Sequence, residues 1–381
     1  MLYYLIHYFD PDFDHLNRKP DADAVQKKGL DLVNLGYVQN VIKGQILAQI
    51  VPLDTYEGEP NSRFIMHTIE FPAGQNTFVH PNYPQYLLSA ANGYVFYYEG
   101  RITVKSLLNV RQDISFNTGN INFVGDMAVH GAVRSGFSIL GNNVRIHGML
   151  EGGIAHSNGN MIIDGGARGS IGDHCLVDSG GKLLANFLER MEARTRGNIV
   201  INRYCLHCTV YAGNNMLVKE QLYGGNINVF SSIYVGKQVG NKAEIPTSIC
   251  LGYDPINIRR LEKLESIVTA ISQRIMHLKA IVGHLPADTN DKTKRLQRLL
   301  RQRSNLLEAS RALSKKLADD SAILRECRLI VPGQVFPGVE LSIGHFYYSV
   351  NQVFENVVFH LVNREIRVEP ITESTIEQHP I

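Results

Sequence analysis

The dipeptide Gly-Asn recurs along the chain, at positions 119, 141, 159, 197, 213 and 225 among others, and short apolar pieces recur between these marks: "INFVG", "VRIHG", "MIID", "NIVIN", "MLVK" and "INVF". Successive marks are spaced by 22, 18, 38, 16 and 12, the 38 being close to two steps of 19. Each apolar piece has the length of one short strand. Gly and Asn tolerate the positive φ that tight corners need. A turn every few residues, one strand set per ~20 residues and no helical period predict a stacked β solenoid over residues 119–253. Asparagines at successive corners can also stack into side-chain ladders. A left-handed hexapeptide helix would need an aliphatic residue at every sixth position, yet stepping from Ile139 reaches Arg145 and then Glu151. The spacing therefore favours a right-handed β-helix.

Residues 254–321 change period. Leu261, Leu264, Val268, Ile271, Ile275, Leu278, Val282 and Leu285 alternate by three and four, the mark of a coiled-coil seam. "PADTND" (286–291) interrupts as a tight connection. A second series follows at Leu296, Leu299, Leu306, Leu313 and Leu317, with Arg303 and Ser310 at the two positions that break it. Two seams joined by a short polar loop predict an inserted antiparallel α-helical coiled-coil hairpin, each helix ~40 Å long and projecting from the body. Residues 322–381 return to Gly-punctuated strands, read as a resumed β-helix and C-terminal cap. Residues 1–118 read as a small α+β lead-in, with a short helix over "DADAVQKKGLDLVNLG" (21–36) and strands at "GQILAQIVP" and "GYVFYYEGRITVKSLL". The fold class is mainly β.

Candidate chemistry is sparse. "CLHC" brings Cys205 and Cys208 close in sequence, but a structural zinc site needs four ligands and Cys175, Cys250 and Cys327 stand alone. Packing inside a coil is their ordinary role. Asp164, Arg168, Asp173 and Asp178 could form the charged groove of a β-helix enzyme or binder acting on an acidic polysaccharide, although Asp is also an ordinary corner residue. His130, His147 and His156 lack the left-handed register that an acyltransferase requires. "VGKQVGNK" (235–242) has Gln238 where a phosphate loop needs Ser or Thr. No catalytic residue, metal ligand or cofactor is therefore assigned. Five cysteines, an odd number, suggest reduced thiols, and "MLYYLIHYFDPDFDHL" does not read as a signal peptide, so a cytoplasmic protein is expected. No apolar run is long enough for a membrane span.

The series "ANGYVFYYEGRITVKSLLNV", "NTGNINFVGDMAVHGAVRSGFSI" and "HGMLEGGIAHSNGNMIIDGG", then the heptad insertion and "VPGQVFPGVELSIG", resembles the flagellar assembly protein A family. The resemblance runs over residues 44–370. It implies a right-handed β-helix with a coiled-coil projection, in a cytoplasmic protein tied to flagellar assembly or cell-pole organisation through partner binding. It brings no catalytic residues. The lead-in departs from the pattern: "GEPNSRFIMHTIEFP" (58–72) stands where the family has a Gly-rich segment.

Charge supplies the remaining signal. The whole chain carries a formal net charge of +2, too small for a global preference for nucleic acid or membrane. Residues 255–320, however, hold 14 Lys or Arg against 7 Asp or Glu, leaving 24 against 29 elsewhere. Lys292, Lys294, Arg295, Arg298, Arg301 and Arg303 follow one another with no acid between them. A solvated helix face is the plain reading; a docking surface for an acidic protein partner is the functional one. No aromatic residue interleaves the run, so nucleic acid is not expected. The whole reads as a non-enzymatic scaffold or regulator, with homo-oligomers or cytoskeleton-like self-assembly through the solenoid as a structural alternative.

Overall fold

The computed structural model describes residues 2–13, 36–170, 172, 175–282, 290–319 and 323–372. The expected helix at 21–36 and the "PADTND" connection lie mostly outside them. The chain divides into two compact units, Met1–Glu192 and Ala193–Ile381.

The first unit opens with two small antiparallel sheets. In one, Tyr3–His7 lies between Ile65–Met66 and Ile46–Pro52, and Tyr86–Ser89 and Thr77–Val79 follow. In the other, Gly93–Tyr98 pairs with Asn40–Val41 and Arg101–Lys105. Leu5, Leu47, Ala48, Leu87, Val95, Ile102 and Val104 form their shared core. The described lead-in is thus all strands and two single-turn 3-10 helices, Leu53–Thr55 and Ser62–Phe64.

Parallel stacking begins at Leu107–Val110, upstream of the Gly-Asn series. Leu108 pairs with Met127, Met127 with Val144, Val144 with Met161 and Met161 with Leu183, so the step from coil to coil is not constant. A second column stacks Ile121, Ile139, Ala155 and Val177. A third stacks Ile114, Val133, Leu150, Ala167 and Leu188. All of these residues are buried, while their strand neighbours point outward. Alternation of side-chain direction is what lets a short piece such as "MII" contribute both of its outer residues to the core.

The Gly-Asn corners work differently from the expectation. Of the seven glycines that precede an asparagine, Gly119, Gly225 and Gly240 have positive φ. Gly159 and Gly213 are required by close approach: a Cβ would stand 2.4 Å from Asn143 Oδ1 and 2.3 Å from the Arg196 carbonyl oxygen. The asparagines that follow them, or sit one further on, carry the expected ladder. Asp126 Oδ1 accepts from the Asn143 N–H at 3.0 Å, Asn143 Oδ1 from the Asn160 N–H at 2.9 Å, and Asn160 Oδ1 from the Lys182 N–H at 2.8 Å. Each side chain thereby satisfies a corner amide of the next coil, which would otherwise be left without a partner.

The second unit repeats this scheme. Ile199 pairs with Met216 and Met216 with Ile233. Tyr204–Ala212 pairs along its length with Gln221–Val229, which in turn pairs with Thr247–Leu251. The ladder continues as Asn198 Oδ1 to the Asn215 N–H and Asn215 Oδ1 to the Ser232 N–H. After Leu251 the chain leaves the stack for two helices, α1 (Pro255–Val282) and α2 (Asn290–Asp319). It returns in register: Ile233 pairs with Leu329 and Ile249 with Leu341. Ser232 Oγ accepts from the Arg328 N–H at 3.1 Å, so the ladder spans the insertion. Stacking then turns antiparallel. Phe346–Ser349 pairs with Val339–Ile343, Phe354–Val362 with Arg328–Val335, and Glu365–Pro370 with Phe354–Val362. These hairpins occupy strand edges that another chain could otherwise join.

Candidate docking surface

Asp254 and Pro255 start α1. The Asp254 carboxylate accepts from the Ile256 N–H at 2.9 Å, and proline occupies a first-turn position where no backbone donor is needed. The described part of the expected seam is the one the structure buries; the side chains of Val282 and Leu285 lie outside the described residues. Ile271 and Ile275 are 5% and 2% exposed, and Leu261, Leu264, Val268 and Leu278 are half-buried. On α2, Leu296, Leu299, Leu306, Leu313 and Leu317 are half-buried or buried, and so are the two breakers, Arg303 and Ser310. Leu264 shares one cleft with Leu313, and Leu278 shares another with Leu299. The start of α1 therefore faces the end of α2, and the helices run antiparallel. Their base is fixed to the solenoid flank, where the Tyr211 hydroxyl donates to the Glu262 carboxylate.

Lys294, Arg295, Arg298 and Arg301 are exposed on α2, while Arg303 is half-buried on the seam. The Lys292 side chain lies outside the described residues. The antiparallel register adds cations that the linear run did not contain. Arg274 and His277 of α1, both exposed, line a cleft of about 840 Å³ together with Arg295. Nearer the base, Arg260, Lys263 and Lys316 rim an apolar groove of about 620 Å³ floored by Leu264, Ile267 and Leu313. Among the described residues neither cleft is lined by an acid. Pairing seam positions across the two leucine series would have located Arg274 and His277 from the sequence.

The polysaccharide set does not gather. Asp164 follows a first-column strand and receives Arg145 Nε at 2.9 Å and His147 Nδ1 at 2.8 Å. Arg168 stands in the third column and donates to Glu189 at 2.9 Å. Asp178 stands in the second, 3.9 Å from His156 Nδ1 of the preceding coil. The three are therefore distributed over three columns, Asp164 and Arg168 bonded between coils and Asp178 near His156; Asp173 lies outside the described residues. Arg168 belongs to a longer series. Arg134 binds Asp113 at 2.6 Å on one side and Glu151 at 2.5 Å on the other, and Glu151, Arg168 and Glu189 occupy successive register positions. Charges of alternating sign thus run down one flank.

Cys205 and Cys208 point into the coil and are buried. A hydrogen bond with Cys208, reinforced by burial, pushes the Cys205 thiol well above its ordinary range, so the free thiolate is not favoured there. His207 between them is exposed, held outward by a positive φ of 53°. Among the described residues no three His, Cys, Asp or Glu side chains are arranged to hold a metal ion. No described helix is long and apolar enough to cross a membrane.

Nothing among curated proteins or solved structures matches the chain. Residues 106–366, however, match the Flagellar Assembly Protein A (FapA) beta solenoid domain, and that span opens just before the first stacked strand and closes within the last antiparallel hairpin. Covering most of the 381 residues and containing the coils, the inserted hairpin and the closing strands, this match places the chain in the Flagellar Assembly Protein A family.

Proposed function

We propose that this protein is a non-enzymatic cytoplasmic scaffold or regulator in flagellar assembly, and that the helical hairpin is its docking arm for an acidic protein partner. The observation that carries the reading is the exposed series Lys294, Arg295, Arg298 and Arg301, of which Arg295 shares a cleft with Arg274 and His277, with no acid lining that cleft among the described residues. Several cations held on two packed helices speed encounter with an acidic surface and orient it. The family supplies the flagellar setting. Right-handed winding of the coils and coiled-coil packing of the hairpin belong to the same proposal. The first is supported by the strong right-handed preference of parallel strand crossovers, the second by the unbroken three-four seam of α1.

The test is a pull-down from native cytosol with the wild type and with Lys292, Arg295, Arg298 and Arg301 changed to Glu. Loss of a specific acidic partner, with circular dichroism and thermal unfolding unchanged, is the expected result. An identical partner set from both proteins would sink the docking arm.

A further inference from the structure

At the closing end of the second unit, three elements surround a cavity of about 1010 Å³. Arg325 comes from a single-turn helix, His345 from the turn after Val339–Ile343, and Arg364 from the turn between Phe354–Val362 and Glu365–Pro370. Leu324, Phe346 and Leu361 supply apolar wall. Among the described residues no acid lines the cavity, and neither Arg325 nor Arg364 bonds a carboxylate. Two guanidiniums and an imidazole over apolar surface match an anionic head on an apolar body. The volume is at the upper end of what small-molecule sites enclose.

The backbone at Arg364 points the same way. Val362 pairs with Glu365, so Asn363 and Arg364 form a two-residue turn with φ of 50° and 69°. The same kind of turn closes Gly93–Tyr98 onto Arg101–Lys105, where φ is 50° at Glu99 and 73° at Gly100. Two-residue turns with positive φ at both positions favour glycine at the second. One hairpin obeys the preference. The other holds an arginine there, against it, and that arginine lines the cavity. Strain of this kind is retained where a side chain has work to do.

We infer that this cavity is a binding site for a small organic anion, a carboxylate or phosphate carrying an aromatic or aliphatic body, gripped by Arg325, His345 and Arg364. The site is independent of the hairpin and of its partner. The probe is 8-anilinonaphthalene-1-sulfonate, an aromatic anion whose fluorescence rises when its ring is buried. Arg364→Gly removes a cation and restores the preferred turn residue, so its thermal midpoint should be unchanged or higher. Its affinity for the probe should fall about tenfold, the usual effect of losing one charge-assisted hydrogen bond. Arg325→Ala should give a loss of similar size. Displacement of the probe by inorganic pyrophosphate would identify a phosphate head, and displacement by benzoate a carboxylate. Wild-type affinity retained in Arg364→Gly, or a bound probe that neither anion displaces, would overturn the inference.

Discussion

Arginine plays opposite parts on the solenoid flank and on the helical hairpin. Along the flank, Arg134 sits between Asp113 and Glu151, and Arg168 meets Glu189. Each cation meets an acid because stacking places a residue of one coil directly over its counterpart in the next, and opposite charges there stabilise the register. On the hairpin, Lys294, Arg295, Arg298 and Arg301 are exposed instead, and Arg295 shares a cleft with Arg274 and His277. A helix surface can offset such charges with acids one turn away, and Arg274, Arg298 and Arg301 have none at those positions. Paired charge belongs to the architecture; unpaired charge is available to something else.

Four changes test that contrast, from the largest expected effect to the smallest. Reversing Lys292, Arg295, Arg298 and Arg301 to Glu should weaken the acidic partner at least ~100-fold, as measured by calorimetric titration, while folding stability moves by no more than ~0.5 kcal/mol. An equally large fall in stability would mean that the hairpin charges are architectural after all. Next, Asn143→Ala removes the acceptor for the Asn160 N–H and should cost about 1–2 kcal/mol in denaturant unfolding. Third, Arg134→Glu opposes Asp113 and Glu151 on an accessible, solvent-screened surface, so it should destabilise by less than Asn143→Ala does.

The smallest effect is one of pH. The Asp113 carboxyl is held below its ordinary 3.8, first by the Ala132 N–H and then by the Arg134 guanidinium. The folded state therefore binds its proton less readily than the unfolded chain. This stability is fully present above pH ~4 and is lost as pH falls through the depressed value. Acid unfolding of Arg134→Ala should begin at higher pH than that of the wild type. Coincident acid limbs would show that the guanidinium contributes nothing to holding the charge.

Much of the architecture was legible before any coordinates. The Gly-Asn intervals marked the coils, and two leucine series marked both helices with the seam residues that are now buried. The upstream coil at Leu107–Val110 was less visible, since no Gly-Asn pair introduces it and "SLLNV" reads equally well as part of the preceding hairpin. The polysaccharide set looked coherent because its members are close in sequence. A solenoid distributes such neighbours over different columns, and the side chains that meet instead are those about one coil apart, as Arg145 and Asp164 do.

The sequence by itself determined periodicity. Turn chemistry every few residues dictates a stack, and a three-four apolar repeat dictates paired helices, because both follow from local backbone preference and the burial of one face. Only the tertiary structure decided which charges cancel. Pairing in a stack depends on register steps that vary from coil to coil, as those from Leu108 to Met127 and from Met161 to Leu183 do. Pairing in the hairpin depends on which α1 residue lies opposite Arg295. The same holds for Arg325, His345 and Arg364, which belong to three separate turns and come together only where those turns close the end of the second unit.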